Sequence, residues 1–68
     1  MARFQFFLVG TSQSPVVEVG YKDLRELHEA IEHSRFLHGQ LVEIEGHSIE
    51  RGVIIPMNRI HMISEIEI

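Results

Sequence analysis

The chain has 68 residues, 44% of them hydrophobic and 24% charged, with a formal net charge of −4 and no cysteine. Its length makes residues 1–68 one domain with a thin core, because chains this short bury only about 60% of their unfolded surface. Disulfides and thiolate metal sites are excluded, the acidic balance works against phosphate binding, and no apolar run approaches the roughly 20 residues of a membrane span.

Arg3 to Val9, RFQFFLV, alternates as a strand, with Phe4, Phe6 and Leu8 on one face and Gln5, Phe7 and Val9 on the other. Both faces are largely apolar, which places it at the centre of a sheet. Gly10 to Pro15 supplies turn residues, and Val16 to Tyr21 forms a second strand with Gly20 as a candidate bulge. Asp23 to Ser34, DLRELHEAIEHS, carries the one strong helical pattern. At about 100° per residue, Leu24, Leu27, Ala30 and Ile31 share a side, and Asp23 with Glu26 makes a D-x-x-E capping box. Arg35 to Gly39 leads out of the helix, Gln40 to Glu45 is the third strand, and Gly46-His47-Ser48 is a turn. Ile49 to Ile55 returns as the fourth strand, with Gly52 as a candidate bulge, and Pro56 ends its pairing because it has no N–H. Met57-Asn58-Arg59 turns a corner into Ile60 to Ile66, where Ile60, Met62 and Ile66 share one face and His61, Ile63 and Glu65 the other.

These elements define an α+β domain of order β-β-α-β-β-β: one mainly antiparallel sheet, covered on one face by a single helix. The expected strand order is 2-1-3-4-5, and a curled sheet closing toward a small barrel is the alternative. One helix covers one face only. If Phe6, Val17, Val42 and Ile60 face it, then Phe7, Val9, Leu41, Ile54 and Ile63 project from the far side as an apolar patch. Such a patch is expected to be an interface with a second copy or a protein partner. His61 would lie beside it and make assembly pH-sensitive.

Histidine is the enriched polar type, at positions 28, 33, 38, 47 and 61. HEAIEH falls short of the zinc motif H-E-x-x-H, because His28 and His33 are five apart and diverge around the axis. His28 with Glu32 and Glu29 with His33 have spacing for a weak pair or a two-ligand site, which leaves a His/Glu metal-binding protein as the weakest alternative. Glu43, Glu45, Glu50, Glu65 and Glu67 alternate as a solvated side, no serine has a G-x-S-x-G context, and Gly10 lacks the partners of a phosphate loop. No catalytic residue, metal or cofactor is therefore assigned, and a non-enzymatic role is expected.

A small RNA- or DNA-binding domain is the main alternative, either as a sheet platform of aromatics or through Arg3, Arg51 and Arg59 with Phe7. Arg51-Gly52 before an apolar strand resembles the second signature of Sm-like RNA-binding proteins, and Gly39-Gln40-Leu41 resembles part of the first. The resemblance covers those few residues, and the helix stands between strands rather than ahead of them, so no role is carried over from it. ARFQFFLVG is interrupted by Gln5 and has no cleavage region, so a cytoplasmic protein is expected. The reading is a small binding or assembly module, acting through an apolar sheet face as a homodimer.

Overall fold

Asp23 adopts extended backbone (φ −152°, ψ 174°), and its Oδ1 accepts the Glu26 N–H at 2.8 Å, which starts helix α1 at Leu24–Ile31. The computed structural model describes residues 2–66, so Glu67 lies outside the described residues. The helix stops three residues short of Ser34, the end of its sequence pattern. There the Ser34 hydroxyl donates to the Ala30 carbonyl at 3.0 Å, and the Ser34 N–H donates to that of Ile31 at 3.3 Å. Eight residues are too few to hold a helix alone in water. Tertiary packing holds it: Leu27 is fully buried in the cluster of Phe4, Phe6, Val17, Val19, Leu37 and Ile55.

The strands are β1 Ala2–Leu8, β2 Val16–Val19, β3 Phe36–Ile44, β4 His47–Pro56 and β5 Ile60–Glu65, with one turn of 3-10 helix at Met57–Arg59 before the last. β3 begins at Phe36 rather than Gln40, because Leu37 and Gly39 pair with Ile55 and Val53 of β4. The β3–β4 turn is Glu45-Gly46, one residue earlier than expected. Both residues have positive φ (50° and 81°), the geometry that matches the twist of a tight hairpin.

All pairings are antiparallel, in the order β4-β3-β2-β1-β5. The order 2-1-3-4-5 does not form. The short α1 makes an excursion at one end of the sheet rather than a full crossover, so β3 starts beside the end where β2 stopped and pairs with β2 itself. Gly39 makes that approach possible: a Cβ there would meet Val17 Cγ1 at 2.5 Å. β1 keeps two neighbours, but they are β2 and β5.

This order forces curvature. β4 and β5 are the two edges, yet only Met57–Arg59 joins them. Four spacings of a flat sheet span about 19 Å, whereas the four steps from Pro56 to Ile60 reach at most about 14 Å. The sheet therefore curls until its edges approach at that corner. The Met57 N–H donates to Arg35 O at 2.8 Å and the Val9 N–H to Arg59 O at 2.7 Å, stitching the corner to the start of β3 and the end of β1.

Of three register shifts, one lies between β3 and β4 at Leu41/Glu43, and the other two decide which of the expected outer side chains face the core. Phe7 pairs with Met62 but Leu8 with Ile60, which leaves His61 as the extra residue of a bulge. Val16 pairs with Glu43 but Val17 with Leu41, which leaves Val42 as the extra residue in β3. Neither bulge falls at Gly20 or Gly52. Because paired residues share a face, Ile63 follows Phe6 inward, and Leu41 follows Val17. Both pack against the core cluster, as do Ile60, Ile31 and Met57.

Candidate functional site

The far apolar face expected from alternation is not continuous. Leu41 and Ile63 turn inward, for the register reasons above. Outward positions on β1 are polar at Arg3 and Gln5. Arg3 Nε lies 3.3 Å from Glu18 Oε2 on β2, and Gln5 Nε2 donates to Ser14 Oγ at 3.1 Å. Phe7 remains, half-buried, directly opposite Met62 on β5, and Val9 is exposed just beyond the end of β1. Ile54 is exposed on β4, opposite His38 and at the other edge of the sheet. The six expected interface residues therefore divide into a group around β5 (Phe7, Val9, Ile63 and His61) and two residues near β4 (Leu41 and Ile54).

The β5 group gains members that alternation could not supply, because they come from the helix. Leu24 and Ile31 of α1 face Ile60, Ile63 and Met62 across a groove of about 340 Å³, with His28 and His61 also lining it. The groove touches both Met62 and Ile63, successive residues whose side chains take opposite faces, so it runs along the free edge of β5 rather than over one face. Met62 is 51% exposed and Leu24 40%. Glu65 fixes the geometry: its Oε1 accepts the Leu24 N–H at 2.8 Å, placing a carboxylate at the positive end of α1 and tying that end to β5. Strand alternation alone puts Glu65 on the solvated side. Its partner lies 41 residues away, beyond any local spacing rule.

A second apolar hollow of about 200 Å³ opens at the other end of the curled sheet, lined by Leu8, Pro15, Val17, Leu41, Val53 and Ile55 among others. Gln13 is the one polar residue that lines it. It is the mouth of the core where α1 does not reach.

The other candidates disperse. Arg3 lies near the start of β1 and Arg59 beyond its end, about 20 Å apart along a strand of that length, while Arg51 lies on the opposite edge strand. Phe4 and Phe6 are fully buried, so they offer no surface for a base to stack on. His28 Nε2 lies 3.4 Å from Glu32 Oε1, and Glu29 turns to Arg25 at 3.8 Å rather than to His33. No group of three or more metal-ligating side chains forms among the described residues. No helix among them is long and apolar enough to cross a membrane. No protein-family model, curated protein or solved structure matches the chain.

Proposed function

We propose that this chain is a small, non-enzymatic assembly module that works as a homodimer through the apolar surface around β5. The observation that carries the reading is Met62. It stands half out of the surface on an edge strand, backed by Phe7 on one side and by the groove with Leu24 and Ile31 on the other. Single exposed apolar residues are ordinary on any surface, but a contiguous group that includes an open strand edge favours a partner. The thin core points the same way, since domains of this size without disulfides commonly add burial by association.

Sedimentation equilibrium at micromolar concentration tests the proposal. A species of twice the chain mass is expected, and a single-chain mass at 100 μM, roughly the weakest affinity useful to such a module, would refute it.

A further inference from the structure

The two edges of this sheet are not equally open. β4 carries exposed Glu50 and Arg51 along its length and ends on Pro56, the features that discourage strand addition. β5 has no proline, lysine, arginine or acid from Ile60 to Ser64. Its backbone direction follows from β1. The Phe6 N–H donates to Pro15 O on the β2 side at 2.9 Å, whereas Arg3 O accepts the Ile66 N–H at 3.1 Å on the β5 side. Alternation then turns the N–H and C=O of Met62 and Ser64 toward β1, and those of Ile63 and Glu65 outward to the free edge.

We infer that β5 pairs with β5 of a second copy, antiparallel about a two-fold axis at Ile63, joining two five-stranded sheets into one. This rests on the homodimer reading above and specifies its interface. The register is set by complementarity. With Ile63 opposite Ile63 of the second copy, each His61 imidazole lies opposite a Glu65 carboxylate, and Met62 lies opposite Ser64. Shifting the axis to Ser64 would instead put each Ile63 opposite a Glu65 carboxylate. The axis at Ile63 also makes Ile63–Ile63 a hydrogen-bonded pair, which uses the outward N–H and C=O groups. Leu24 and Ile31 of each helix then close over the added strand in the groove they already line.

The test uses engineered thiols in a chain that has none. Met62→Cys and Ser64→Cys chains of different tagged mass are mixed and oxidised. Opposite positions in a non-hydrogen-bonded pair have Cα atoms about 4.5 Å apart, within disulfide range, whereas two copies of position 62, or of position 64, lie about 8 Å apart, outside it. The mixed disulfide between the two chains is expected in at least about tenfold excess over either like-with-like product. In the unmodified protein, amide exchange at Ile63 and Glu65 is expected to slow by at least about tenfold from dilute monomer to dimer. A dimer that lacks both signatures overturns the strand pairing and leaves the homodimer standing. A chain that stays monomeric overturns both, and monomers that protect Ile63 only on adding an extended apolar peptide would assign the edge to a different partner.

Discussion

Gly39→Ala tests the close approach on which the curled sheet depends. A Cβ at Gly39 would lie 2.5 Å from Val17 Cγ1, 3.0 Å from Glu18 O and 3.1 Å from Val19 Cγ1. None of these atoms is free to give way. Val17 and Val19 are 0% and 1% exposed, against Phe4 and Phe6, and the Glu18 oxygen belongs to the backbone. Two effects compete. Alanine lowers the conformational freedom of the unfolded chain, worth about 0.4–1 kcal/mol in favour of folding where the native φ suits it. Gly39 is not among the positive-φ glycines, so that gain applies. Overpacking a filled core costs about 1–3 kcal/mol, and the clash wins. A net loss of about 1–2 kcal/mol is expected, a large share of the roughly 3–10 kcal/mol available to a domain of this size. The melting temperature should fall by about 5–15 °C. Urea unfolding followed by far-ultraviolet circular dichroism measures it, at one fixed protein concentration because dimerisation adds to apparent stability. Gly20→Ala and Gly52→Ala are the internal controls: a Cβ meets nothing within 4 Å at either, and both should be neutral or slightly stabilising. A Gly39→Ala protein as stable as these controls would show that β3 does not press on β2 here, and the account of the strand order would fail.

Met62→Lys places a charge on the exposed half of the β5 surface. Half of a methionine's burial value is about 1 kcal/mol per copy, so a symmetric dimer should lose about 2 kcal/mol, raising its dissociation constant roughly 30-fold. The unfolding free energy of the monomer should change by less than about 0.5 kcal/mol, and a dimer unaffected by the lysine would place the interface elsewhere. Asp23→Ala removes the acceptor for the Glu26 N–H and should destabilise the fold by about 1 kcal/mol in the same urea assay. Arg3→Ala breaks the pair with Glu18, whose side chains are 41% and 28% exposed, and should cost under about 1 kcal/mol. A larger loss would mean that the outer face of β1 is less hydrated than its exposure indicates.

Much of this chain is legible locally. The Asp23 cap, the helical face of Leu24, Leu27 and Ile31, the alternation along β1, and the corner before Ile60 are all short-range features, because hydrogen-bond geometry and side-chain period act within a few residues. What alternation cannot supply is its own interruption. A single extra residue at His61 moves Ile63 from the expected outer surface to the core, and one at Val42 separates the two ends of β3, so two of the six interface residues expected from period two, Leu41 and Ile63, turn inward. The groove is illegible in the sequence for another reason: one wall is helix and the other is strand, and no spacing in sequence relates Leu24 to Met62.

By itself the sequence determined the kinds of element, most of their ends and the class of fold, since propensity, capping and periodicity are properties of neighbouring residues. The tertiary structure alone decided that β3 joins β2, that β5 crosses to β1, and that the sheet curls between Pro56 and Ile60. Those outcomes depend on which surfaces fit, on the space left by a missing side chain at Gly39 and on the short reach of the Met57–Arg59 corner. Contacts between residues distant in the chain settle them, and those contacts exist only once the strands have met.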